Sequence, residues 1–95
     1  MRISQYEYKD HINEKVWVHR FFHDNIISPT EGMIGAYDRI YRIGSKGNTL
    51  KTEIPSTNTR LYVFTDKQEC IDDFIKWCQM EIDKYNSLIQ QTNNL

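Results

Sequence analysis

The sequence predicts an α+β domain: an antiparallel sheet of four or five short strands with one long C-terminal helix packed across one face. Three observations carry this. The last third repeats apolar residues at helical spacing, the middle alternates them at strand spacing, and 95 residues with 39% hydrophobic and 26% charged side chains suit one globular domain. A chain of this size buries only about 60–65% of the surface its unfolded form exposes, so its stability is modest unless a partner adds to it.

The helix is the clearest element. Thr65 or Asp66 can accept from the first free backbone N–H groups, with Gln68 or Glu69 three residues later. Ile71, Phe74, Ile75, Cys78, Ile82, Tyr85 and Ile89 then recur at intervals of three and four, one apolar stripe on a helix of about 25 residues. Asp66, Glu69, Asp72 and Asp73 crowd its first turns, where the helix dipole favours negative charge. The polar tail 90–95 is expected to fray.

Tyr37–Ile43 and Asn48–Ile54 flank Gly44-Ser45-Lys46-Gly47 and read as a hairpin; Arg60–Phe64 reads as a strand feeding the helix. Ile3–Tyr8 and Lys15–Phe22 read as two further strands. Residues 24–36, punctuated by Pro29, Gly32 and Gly35, read as a loop. For the core, Ile71, Phe74, Cys78 and Ile82 are expected to face Ile40, Leu50, Leu61 and Val63.

Several function classes are disfavoured. Apolar runs such as Leu61-Tyr62-Val63-Phe64 are too short to span a bilayer, and Met1–Tyr6 turns polar at once, so neither a membrane span nor a signal peptide is expected and the location expected is cytoplasmic. Cys70 and Cys78 stand about 12 Å apart along one helix, too far for a disulfide, and read as small buried hydrophobes. His19 and His23 are four apart, with His11 upstream. On a strand that spacing separates them by about 13 Å, so no metal and no cofactor is expected. Gly44-Ser45-Lys46-Gly47 lacks phosphate-loop spacing and leads into a strand. No nucleophile elbow occurs, and an enzyme is not expected.

Two binding modes remain. Residues 39–60 carry Arg39, Arg42, Lys46, Lys51 and Arg60 against Glu53 alone, between acidic flanks. With Tyr37, Tyr41, Tyr62 and Phe64 interleaved on strands, this basic hairpin is a candidate nucleic-acid surface. A net charge of −1 and a pI near 6.3 argue against a polyanion partner. Protein binding is favoured instead. Aromatic residues make up 13% of the chain, and a helix of about 37 Å outreaches a compact fold of about 26 Å, leaving its apolar stripe to overhang. Trp77, Tyr85, Leu88, Ile89 and Tyr41 are the candidate contacts, for a target protein or for a second copy in a homodimer.

The run Arg39-Ile40-Tyr41-Arg42-Ile43-Gly44, a hairpin, then Leu61-Tyr62-Val63-Phe64-Thr65-Asp66 opening an acidic helix, resembles small phage-encoded accessory proteins over about residues 39–85. The resemblance implies a non-enzymatic inhibitor of a host protein, of the anti-defence (anti-CRISPR-like) kind, carrying no catalytic motif.

Overall fold

The structure, a computed structural model, describes residues 1–22, 25–44, 50–54 and 61–95, with side chains for all of these save 50–52. Among the described residues six strands form one antiparallel sheet: β1 (Arg2–Ile3), β2 (Lys15–Phe22), β3 (Asn25–Ile34), β4 (Ile40–Ile43), β5 (Leu50–Ile54) and β6 (Leu61–Phe64), in the order β1-β6-β2-β3-β4-β5. A 3-10 helix (Gln5–Asp10) follows β1, and α1 (Lys67–Asn93) follows β6. The α+β class with a C-terminal helix on an antiparallel sheet is what the sequence predicts, with six strands rather than four or five.

Two segments differ from expectation. Ile3–Tyr8 gives a two-residue strand and then the 3-10 helix, because the Glu7 carboxylate accepts from the Ser4 N–H at 3.1 Å and ends the extended backbone. Tyr8 is thereby turned inward and buried. Residues 24–36 supply β3, the longest strand. Pro29 is tolerated there because it lies in a bulge, where the β2–β3 register slips between Val18↔Thr30 and Arg20↔Ile27. Gly32 belongs to the strand because a Cβ at that position would stand 3.1 Å from the Tyr41 carbonyl oxygen.

Alternation along β2 and β6 divides the sheet into two faces. Val16, Val18 and Val63 join Ile3, Tyr8, Ile34, Ile40 and Ile54 in one apolar cluster, with Ile27 and Leu61 packed against it. Trp17, Tyr62 and Phe64 lie on the other face and cluster with Cys70 and Trp77 of α1. The expected helix-to-sheet pairing is therefore corrected. Ile40, Leu61 and Val63 belong to the face opposite α1, Leu50 lies outside the described side chains, and Ile82 is 52% exposed. One residue of register decides which of Leu61, Tyr62, Val63 and Phe64 meets the helix.

Asp66 caps α1, its carboxylate accepting from the Glu69 N–H at 2.9 Å. The helix continues through Asn93, so the tail expected to fray supplies its last turn, where the Thr92 hydroxyl donates to the Leu88 carbonyl. No helix among the described residues is long and apolar enough to cross a membrane.

Candidate functional site: the two faces of the C-terminal helix

The helix runs along β2, and contacts along its first eleven residues trace its course. The Lys67 ammonium lies 5.0 Å from the centre of the Trp17 ring. Phe74 meets His19 and Phe21 edge-on, and Trp77 stacks on Phe21 and Tyr62 at 6.4 and 5.7 Å between ring centres. From Trp17 to Phe21 the strand advances about 13 Å, and from Lys67 to Trp77 the helix advances about 15 Å. The two elements keep pace until β2 ends at Phe22. The sixteen residues from Cys78 to Asn93 then carry α1 about 24 Å further. The molecule's long axis of 54 Å against 29 and 21 Å reflects that projection.

Exposure along α1 follows the same division. Cys70 is fully buried, whereas Ile75, Ile82, Tyr85 and Ile89 are 56%, 52%, 53% and 58% exposed. The single apolar stripe expected from the sequence is thus two. At about 100° per residue, Cys70, Phe74 and Trp77 fall within about 60° of one another and face the sheet. Ile75, Ile82 and Ile89 lie about 60–100° further round from Phe74, and no described element covers them. Tyr85, Leu88, Ile89, Thr92 and Asn93 border a shallow open hollow on this part of the helix.

The five candidate contacts separate accordingly. Tyr85, Leu88 and Ile89 come together on the projecting half. Trp77 is half-buried in the aromatic stack under the helix and belongs to the fold. Tyr41 sits on β4, beyond the strands that α1 covers, half-buried with its ring over Gly35, where an added Cβ would approach the ring to 2.5 Å.

For the basic hairpin, Arg39 lies 3.9 Å from the Glu53 carboxylate and its guanidinium is held still more firmly protonated, by Tyr41 first and Glu53 second. Arg42 is exposed on β4; Lys46, Arg60 and the Lys51 side chain lie outside the described residues. Tyr62 and Phe64, expected as stacking platforms, are buried beneath α1, and Tyr37 stands on the β3–β4 turn at φ 60° rather than on a strand.

The sequence reading missed a polar link under the helix. His19, fully buried between Tyr62, Phe64 and Phe74, has Nε2 2.7 Å from Asp73 Oδ2. Burial pushes the imidazole's pKa down against the opposing pull of Asp73, so neutral His19 donates its Nε2–H to the carboxylate. Its Nδ1 has no hydrogen-bond partner among the described residues. The signal that could have found this link is His19 itself, a polar residue on the helix-facing side of a strand rich in β-branched and aromatic residues, which needs a partner from the covering helix.

Burial, with Asp73 nearby, pushes the Cys70 thiol up to about 12, far from nucleophilic use. His11 contacts Glu14 at 2.7 Å, and His23 lies outside the described residues. Among the described residues no three His, Cys, Asp or Glu side chains gather as a metal site. Comparison with family models, with curated proteins and with solved structures gives no match.

Proposed function

We propose that this protein is a non-enzymatic protein-binding module that docks through the projecting half of α1, with Ile82, Tyr85, Leu88 and Ile89 as the contact residues. One observation carries the reading: these four large apolar side chains share one stretch of helix and each remains about half exposed, beyond the end of the strand that α1 follows. Apolar surface gathered in this way gains free energy when a partner removes it from water. Among the described residues, the imidazole in the helix–sheet core, that of His19, is fully buried and closed to substrate, which favours binding over catalysis. Within this class, the resemblance of residues 39–85 to phage accessory proteins makes an inhibitor of a host protein, acting in the cytoplasm, the finer form of the proposal.

The test is association with a protein, scored by co-purification and by the size of the purified chain. Wild-type chain is expected to associate, with a second copy or with another protein, and to keep doing so after nuclease treatment. Leu88→Asp and Ile89→Asp are expected to abolish the association with the fold intact. Association that ignores both substitutions but disappears on nuclease treatment or with Arg39→Glu and Arg42→Glu would overturn the reading and leave the hairpin as the site.

A further inference from the structure

One row of positions along α1, half-buried at Ile71 and Cys78 and exposed at Ile75, Ile82, Tyr85 and Ile89, has a stricter period than an apolar patch requires. Ile71, Ile75, Cys78, Ile82, Tyr85, Ile89 and Thr92 follow one another at intervals of 4, 3, 4, 3, 4 and 3. That is a seven-residue repeat held over three heptads, with Ile75, Ile82 and Ile89 at a and Ile71, Cys78, Tyr85 and Thr92 at d. The sheet-facing set of Cys70, Phe74 and Trp77 lies outside this register, so packing against the sheet does not account for the repeat. A 3.5-residue period is the spacing that keeps one seam facing a second helix along its whole length.

From this seam we infer that the occupant is a second copy of the chain, its helix parallel and in register with the first. The inference rests on the proposed role of the projecting helix in protein binding and names the partner. Three features select this occupant. Isoleucine fills all three a positions from Ile75 onward, and β-branched a residues suit parallel two-stranded pairing, where each stacks on its own counterpart. Beyond the turns that the sheet covers, the flanking g and e positions meet across the seam as Glu81 with Asn86 and Leu88 with Asn93, so no like charges oppose one another. Lys76, Asp83 and Lys84 lie at b and c, away from the seam. Finally, the seam points about 85° round the helix from the sheet-facing side, so two copies joined along it carry their sheets on opposite flanks of the pair.

The arrangement places the two Cys78 thiols opposite each other at a d position, close to the spacing a disulfide requires, whereas antiparallel pairing faces a positions with d positions and sets Cys78 against an isoleucine. The test uses the full chain alone. Sedimentation equilibrium from about 1 µM to about 1 mM spans weak to moderate specific association. A monomer–dimer equilibrium is expected, together with a Cys78-dependent cross-link under mild oxidation that Cys78→Ser removes. Ile82→Asp and Ile89→Asp are expected to raise the dissociation constant at least 100-fold with an unchanged near-ultraviolet aromatic spectrum, and Ile82→Leu to leave a dimer. A monomer throughout the range, or a dimer indifferent to both Asp substitutions, overturns the second copy as occupant; a dimer with no Cys78 cross-link overturns the parallel register. If the chain is monomeric yet captures another protein in a manner lost with Ile89→Asp, self-pairing has failed and the protein-binding role stands; if no association depends on this face, both have failed.

Discussion

His19 Nε2 stands 2.7 Å from Asp73 Oδ2, joining β2 to α1 across 54 positions of sequence. It is a polar contact set among the rings of Tyr62, Phe64 and Phe74. Aromatic packing alone would tolerate a helix displaced along the strand. A hydrogen bond of this length does not, so the pair fixes where along β2 the helix sits and hence how much of α1 projects.

Removing the acceptor should therefore be costly. Asp73→Ala leaves the buried Nε2–H without a partner and is expected to destabilise the fold by about 1–3 kcal/mol. Asp73→Asn retains an acceptor oxygen and should cost less. Urea unfolding followed by tryptophan fluorescence measures both; equal, negligible effects would mean that the contact does not hold the helix.

Acid should act through the same imidazole. The folded protein resists protonating His19, while the unfolded chain takes the proton near the ordinary value of 6.5, so the unfolded state binds more protons below that value. The contribution is complete above about pH 6.5 and is lost as the pH falls from there toward the depressed folded value. The Arg2 cation, which lies 4.5 Å over the Tyr62 ring, works in the same direction as burial, and Asp73 works against them. Stability between pH 7 and 5.5 should fall in wild type and fall less in His19→Gln; equal slopes would remove His19 as the cause.

Trp77 offers a direct test of the division between the helix faces. Its ring stacks on Phe21 and Tyr62 under the helix, so Trp77→Ala is expected to cost about 2–4 kcal/mol, near the lower end for a large aromatic because Trp77 is only half-buried. Tyr85→Ala, eight residues on, should change the stability of the monomer by no more than about 0.5 kcal/mol. Thermal melts in dilute solution separate the two, and comparable losses would place both residues in one core.

How far the sequence carries the fold depends on which signals are local. The cap at Asp66, the strand Lys15–Phe22 and the helical period after Ile71 are written in neighbouring residues and lie where the pattern puts them. Strand β3 was hidden because Pro29 and Gly32 are breakers by propensity, and only the bulge and the approach of the Tyr41 carbonyl, both supplied by neighbouring strands, make them strand residues. The two faces of α1 look like one in the sequence because three- and four-residue spacings satisfy a sheet-packing stripe and a heptad seam alike. Only exposure, near zero at Cys70 and above half at Ile75, tells them apart.

The two cysteines should differ sharply in reactivity. Cys70 is fully buried with its thiol pushed up to about 12, so it is expected to stay silent to a thiol reagent until the protein unfolds. Cys78 is only half-buried and should react in the native state, more slowly at high chain concentration if the seam is covered. Mass spectrometry after brief alkylation reads both sites, and native-state labelling of Cys70 would contradict its position in the core.

The projecting half of α1 sets the last expectation. An unsupported helical extension of about sixteen residues is marginal in water, because nucleation is costly and short helices gain most of their stability from packing. The first half of α1 has that packing through Cys70, Phe74 and Trp77, whereas from Ile82 onward the large apolar side chains stay about half exposed and no described strand covers them. Amide hydrogen exchange should therefore be slow for residues 70–78 at any concentration. For residues 82–93 it should be fast in dilute solution, where local opening costs little, and should slow as the chain is concentrated and the Ile75–Ile82–Ile89 seam is covered. Ile82→Asp should remove the concentration dependence and leave protection of residues 70–78 intact. Uniform protection along all of α1 in dilute solution would mean that the helix is stable without any partner, and would take away the thermodynamic reason for one.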